Sequence, residues 1–292
     1  MKERFKFFSE LFRIKQWVKN AFIFFPLLFS GLFFEPEALI SSVIAFAGFC
    51  FVSSGLYILN DYLDREKDRL HPKKSQRPLA RLNINPGLVA ILILTLVISG
   101  LWICRLSNVN VLIIALIYIA IHIVYNFYTK RIVLLDVIFI AAGFQIRIWA
   151  GALASQINPS VWLQLCVFLL ALFLGFTKRR YEISALKDKA AEHRMVLSHY
   201  TSYLLDQIII ICSTLSIVFY GLYTISFDIV HRTGNQNMVY SVVFVIYGIF
   251  RYLYLVHVKK LGDEPGEILA TDKPLLINVL LWILYVGILL YR

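Results

Sequence analysis

Apolar runs of membrane-spanning length recur along the chain, broken by short polar stretches. Nine spans are predicted, at 17–34, 38–60, 87–104, 109–128, 132–154, 161–176, 203–227, 238–258 and 274–291. About 20 mostly apolar residues suffice to cross a bilayer as a helix. The first and sixth runs are the least sharply bounded, and only a Ser-Asn turn near 107–108 parts the third from the fourth. The core of a large soluble domain does not require apolar runs of this length again and again. The pattern therefore predicts an all-α integral membrane protein, a single membrane-embedded domain over 1–292. Residues 1–16 read as a basic-aromatic interfacial lead, and 61–86 and 177–202 as loops that carry the chemistry. The N-terminus lacks a small-residue cleavage site after a short apolar region, so no signal peptide is expected.

Composition agrees: 59% of the 292 residues are hydrophobic, with a mean hydropathy of +0.72. The net charge of +11 would by itself suggest nucleic acid, but its distribution argues against that partner. With the N-terminus inside, the inner segments hold 24 of the 29 Lys and Arg: six in 1–20, seven in 61–86, two at 130–131, six in 177–202 and three in 259–273. That is the positive-inside bias, and with nine spans it predicts a cytoplasmic N-terminus and an outer C-terminus. Cys50, Cys104, Cys166 and Cys212 each stand alone in an apolar run, without metal-ligand or CxxC spacing. They read as small buried hydrophobes.

The candidate chemistry centres on 60–72, just past the second span. If the helix continues through it, Asp61, Asp64 and Asp68 lie within roughly 60° of one another on one face. Three carboxylates so placed repel one another unless a hard cation sits among them, and Mg²⁺ carrying a phosphate substrate suits such oxygen ligands. Lys73, Lys74, Arg77 and Arg81 follow, placed to take the remaining phosphate oxygens. The competing reading is a solvated loop of mixed charge.

Other polar residues stand against an apolar background. Lys15 and Lys19 either snorkel to the interface or touch a substrate phosphate. Tyr118, His122, Tyr125 and Asn126 form a stripe on the fourth span. His122 reads as a hydrogen-bonded interior residue, while Asn126 and Tyr128 are better placed to meet a substrate. Asp136, Gly143 and Arg147 share one face of the fifth span, the two charges about 16 Å apart along the axis and too far to pair with each other. A charge inside a span marks a site or a partner on another helix. Arg147 is expected to line an internal cavity or to make a structural pair. Lys178, Arg179 and Arg180 read either as a phosphate-binding wall or, through Lys178 and Glu182, as a helix-stabilising ion pair. Arg251 either snorkels or faces the cavity, and Asp272 reads first as a helix cap ahead of Pro274.

Four stretches carry a resemblance: Lys15, Gln16, Trp17, Val18, Lys19 and Asn20; the run from Asn60 to Pro78; Leu135, Asp136 and Val137 on to Gly143, Arg147 and Gly151; and Lys178, Arg179, Arg180 and Glu182. With them the chain resembles the UbiA superfamily of intramembrane prenyltransferases, nearest to its decaprenyl-phosphate phosphoribosyltransferase branch. The resemblance implies a nine-helix bundle with a cavity opening to the cytoplasmic side. It also implies an N-D-x-x-D-x-x-x-D motif, matched by Asn60, Asp61, Asp64 and Asp68, that binds a diphosphate substrate through Mg²⁺. Members that use prenyl diphosphates carry a second acidic motif where this chain has Lys178, Arg179, Arg180, Tyr181 and Glu182. Cations there suit a donor bearing a separate phosphate.

The implied reaction moves 5-phosphoribose from 5-phosphoribosyl diphosphate to a polyprenyl phosphate in a bacterial inner membrane. Asp61, Asp64 and Asp68 would hold the metal. Lys15, Lys19, Asn60, Lys73, Lys74, Arg77, Asn126, Tyr128, Arg147, Lys178, Arg179, Arg180 and Glu182 would line the substrates. The rivals are an aromatic prenyltransferase of the same fold, which would want the second acidic cluster, and a transporter, which would want its charges at mid-bilayer.

Overall fold

The computed structural model of the chain describes residues 2–70, 74–186, 195–262 and 265–291. Among these the regular structure is helical throughout. A short helix α1 (Lys2–Leu11) leads into a 3₁₀ stretch (Ile14–Phe24) and a six-residue helix α2 (Phe25–Ser30). The long helices are α3 (Pro36–Arg69), α5 (Pro86–Ser107), α6 (Val109–Phe127), α7 (Leu135–Ala154), α8 (Val161–Leu186), α9 (Ser202–Thr224), α11 (Val242–His257) and α13 (Lys273–Tyr291). Between them lie the short helices α4 (Pro78–Arg81), α10 (Phe227–Thr233) and α12 (Pro265–Thr271).

Eight helical segments among the described residues are long and apolar enough to cross a membrane, and they coincide with the second to ninth predicted spans. The region predicted as the first is built differently, from the 3₁₀ stretch and α2. Pro26 at the start of α2 and Gly31 in the left-handed region at its end (φ 79°) bound a helix of only two turns. Polar Gln16 and Asn20 dilute the apolar run ahead of it.

Two predicted loops are helical at their start. At 1.5 Å per residue, the 34-residue α3 is about 51 Å long, well beyond a bilayer core of about 30 Å. Its last turns therefore carry the aspartate stretch past the apolar span. Helix α8 likewise continues to Leu186, so 177–186 is helix rather than loop. Asn108 ends α5 in extended backbone and caps α6, accepting from Val111 N at 2.9 Å, which makes the tight turn read from the sequence.

Close backbone approaches knit the bundle. Gly48 of α3 and Gly100 of α5 face each other where the two helices cross, and a methyl group at either would meet the other's carbonyl within 3 Å. At Gly151 of α7 it would lie 1.8 Å from the Ile23 carbonyl oxygen, so only glycine lets the 3₁₀ stretch pack there. The four cysteines are free; Cys50, Cys104 and Cys212 are buried.

Candidate active site

The aspartates of α3 meet arginines from two other parts of the chain. Arg77 Nη1 donates to Asp61 Oδ1 at 3.0 Å and to Asp68 Oδ2 at 2.6 Å. Arg13 donates to Asp61 with both Nε, at 2.8 Å, and Nη2. Asp64 turns elsewhere and accepts from Lys130 Nζ at 2.7 Å. The helix explains this split. Seven residues make nearly two turns, so Asp61 and Asp68 lie about 20° apart, while Asp64 lies about 40–60° to one side. The expected convergence of three carboxylates is thus a convergence of two, with the third facing a neighbouring helix end.

Nothing in the sequence singles out Arg13 or Lys130. Their distances along the chain from their partners, 48 and 66 residues, leave no local signal for the pairing. Of the predicted residues nearby, Lys74 is within electrostatic range of Asp68. Asn60 is half-buried. Asn126 is buried, its Nδ2 donating to the His122 carbonyl at 3.0 Å while its Oδ1 has no hydrogen-bond partner; the Thr129 hydroxyl, next to Lys130, also has none. Tyr128 and Lys15 are exposed. Lys73 lies outside the described residues.

The run 178–180 does not form one wall. Successive helical residues point about 100° apart, and their contacts diverge accordingly. Arg179 is buried, donating to Asp136 Oδ2 and Glu182 Oε2, both at 2.7 Å. Arg180 pairs with Asp206 of α9 at 2.9 Å. Lys178 is half-buried. Asp136 also accepts from the Tyr200 hydroxyl at 2.8 Å, while Leu134 N donates to that hydroxyl at 2.7 Å. Burial, and then the bond to Asp136, push the Tyr200 phenol above its ordinary range. Asp136 has therefore found its partner on a neighbouring helix, and the arginine expected to meet phosphate serves it.

Arg147 lies deep in the bundle and is satisfied by neutral acceptors. It donates to Asn20 Oδ1 at 2.8 Å, to the Gly143 carbonyl at 2.8 Å and to the Tyr118 hydroxyl at 2.6 Å. Its guanidinium also lies over the Tyr118 and Phe144 rings. Asn20 Nδ2 reaches Ser53 and Cys50 of α3. This answers why a polar residue sits at 20: it ties the 3₁₀ stretch to α3 and α7. Lys19 stands near, within electrostatic range of Tyr57 and His122. Arg251, expected to snorkel or face a cavity, pairs with Asp272 at 2.8 and 3.1 Å, and Asp272 caps α13 through Leu275 N at 2.9 Å.

The donor set around Arg77 bears on metal binding. Two buried carboxylate oxygens already converge on one positively charged nitrogen, which stands where a hard cation would be stabilised in the same way. All-oxygen chemistry suits Mg²⁺. Among the described residues no three carboxylate, imidazole or thiol groups gather closely enough to hold a metal alone. A metal there would be shared between the protein and a phosphate ligand, the usual arrangement for Mg²⁺.

A family model described as the UbiA prenyltransferase family matches residues 23–265. The chain belongs to this family. It is 31% identical over 288 residues to a decaprenyl-phosphate phosphoribosyltransferase of Mycolicibacterium smegmatis, covering 96% of this chain and 91% of the relative. A protein of the same name from Corynebacterium glutamicum is 30% identical over 285 residues, covering 96% and 85%. A solved UbiA homolog from Archaeoglobus fulgidus, bound to GPP and Mg²⁺, superposes with a TM-score of 0.70 over 98% of this chain and all of that one, at 18% identity. That last match shows the fold, and in it the aspartate end of α3 belongs to a bundle architecture shared by the family.

Proposed function

We propose that this chain is a polyprenyl-phosphate phosphoribosyltransferase. It moves 5-phosphoribose from 5-phosphoribosyl diphosphate to a polyprenyl phosphate and releases diphosphate. The reading places it in a bacterial inner membrane with nine crossings, a cytoplasmic N-terminus and a site facing the cytoplasm. The 3₁₀ stretch and α2 supply length for the ninth crossing. Eleven residues at about 2 Å and six at about 1.5 Å give a contour of about 31 Å. The lysines and arginines concentrated in the predicted inner segments support the orientation.

One observation carries the choice of donor. Where prenyl-diphosphate-using members have a second acidic motif, Glu182 is bound to Arg179, which is in turn bound to Asp136. The only acid of that five-residue stretch is thus committed to an internal pair, so among the described residues this stretch offers no second metal site for an aromatic prenyltransferase. The names of the relatives support the same choice.

In the reaction the ribose C1–O bond to diphosphate breaks, the diphosphate keeps the electron pair, and an oxygen of the acceptor phosphate bonds to C1. Asp61 and Asp68 would hold Mg²⁺, with Asp64 joining them on release of Lys130, and the metal when bound offsets the charge of the departing diphosphate. Arg77 and Lys74 take its remaining oxygens. The acceptor phosphate, with a second pKa of about 6 by analogy with phosphorylated side chains, is largely dianionic at pH 7 and needs no general base. His122, hydrogen-bonded to the Tyr118 carbonyl inside the bundle, is not required as one.

Membranes containing the protein, given labelled 5-phosphoribosyl diphosphate, polyprenyl phosphate and Mg²⁺, should accumulate lipid-linked label. Chelation of the metal or the change Asp64→Ala should abolish it. Consumption of a prenyl diphosphate with an aromatic acid, without transfer of label, would overturn the assignment.

A further inference from the structure

The N-terminal arm places one residue where the reaction scheme above makes no use of it. Arg13 has left-handed backbone (φ 51°, ψ 47°), which is strained for a residue other than glycine. The turn is pinned on both sides. Arg13 N donates to the Glu10 carbonyl at 3.2 Å, and Gln16 N donates to the Arg13 carbonyl at 2.8 Å. Ser54 of α3 holds the same turn: its hydroxyl donates to the Phe12 carbonyl at 2.8 Å and accepts from Trp17 Nε1 at 3.0 Å. The arm is thereby fixed against α3 with the Arg13 guanidinium over the Tyr57 ring and on Asp61.

Charge balance alone gives Arg13 a structural role, because Arg77 is shared between Asp61 and Asp68 and leaves one carboxylate for a second guanidinium. That role leaves one feature unexplained, the systematic difference in depth. The side chains of Asp61 and Asp68 are 7% exposed, whereas Arg13 is 18% and Arg77 27% exposed. The carboxylates form the floor of the site and the two guanidiniums its rim. A metal ion that reaches the floor competes with both arginines for the same oxygens. Each displaced guanidinium then keeps its charge and its planar fork of donors, and a diphosphate arriving with the metal presents oxygens that match the fork.

We propose that Arg13 is a diphosphate-binding residue, delivered by the N-terminal arm, which exchanges Asp61 for the donor's diphosphate when the metal binds. The proposal deepens the phosphoribosyltransferase reading, yet it concerns only the diphosphate end of the donor and is tested without turnover.

The test uses full-length protein in nanodiscs, with Mn²⁺ as metal probe and inorganic diphosphate as ligand. Arg13→Ala should weaken diphosphate binding in the presence of metal by about a hundredfold, and Arg13→Lys by about tenfold, since a lysine keeps the charge but loses the fork. Mn²⁺ binding without diphosphate, followed by electron paramagnetic resonance, should stay equal or tighten in both variants, because a competitor for Asp61 has been removed. A merely structural arginine gives another pattern: metal and diphosphate binding weaken together and the thermal midpoint falls. That pattern, or unchanged diphosphate affinity in Arg13→Ala, overturns the proposal. Should Arg13→Ala fail to fold, Arg13→Lys decides alone on the same two affinities. If label never reaches lipid although diphosphate affinity falls as expected, the phosphoribosyl reading fails and the role of Arg13 stands.

Discussion

Two aspartate–arginine constellations lie at the same end of the bundle, and they differ in one respect that separates their roles. At α7 and α8, Asp136 is fully buried and Arg179 nearly so, with Tyr200 and Glu182 satisfying the remaining bonds. At the end of α3, Asp61 and Asp68 are buried but their arginines are open on one side. A closed pair of this kind cannot exchange partners without leaving a charge unsatisfied, so it fixes the geometry of α7 against α8. The open pair is the one that, on the proposed reading, trades a carboxylate for a phosphate at the rim. The lesson is that the same two residue types become scaffold or site according to which partner water can reach.

The largest expected effect is at the open constellation. Asp68→Asn should lower transfer by about a thousandfold, a barrier increase of about 4 kcal/mol, with a thermal midpoint close to the parent. Kinetics and melting of one purified sample check both parts, and a collapse of the midpoint would merge the two constellations into one structural class. At the closed constellation the signs reverse. Arg179→Met removes one member of a buried pair and should cost about 3–5 kcal/mol of stability, seen as an earlier melt in detergent, while the folded fraction keeps its KM for the donor. A changed donor KM there would restore Arg179 to the phosphate site.

The smallest effect is expected at a third pair, the most exposed of the three, Arg251 and Asp272. The bonds from Arg251 hold the Asp272 carboxyl below its ordinary value of 3.8. A depressed carboxylate contributes stability that is present above that value and lost as pH falls through the lower folded pKa. Melting followed from pH 6 to pH 3 should therefore show a slightly steeper loss in the parent than in Asp272→Asn. Parallel curves would mean that the pair contributes nothing measurable.

How much was legible follows from how local each feature is. The last eight spans, the Asn108 turn and the Asp272 cap depend on apolar runs and on residues three apart, so the chain states them directly. The helical continuation of α3 was legible as the condition that brings aspartates to one face, but the spread of roughly 60° grouped Asp64 with the other two, and only its contact with Lys130 sets it apart. The apolar count of the first span conceals a 3₁₀ stretch held by Asn20, Trp17 and the Gly151 contact. The run at 178–180 looked like one surface because three cations are adjacent in sequence, although a helix turns them in three directions.

The sequence by itself determined that this is a membrane bundle, where its apolar segments lie, and which short stretch concentrates the carboxylates. Periodicity and hydropathy act over a few residues and need no knowledge of the fold. Only the tertiary structure decided which cation each carboxylate meets: Arg13 and Arg77 for Asp61, Lys130 for Asp64, Arg179 for Asp136. Most of those partners lie 43 to 66 residues away along the chain. Helix crossings bring them together, and once both are withdrawn from water neither charge can remain without the other.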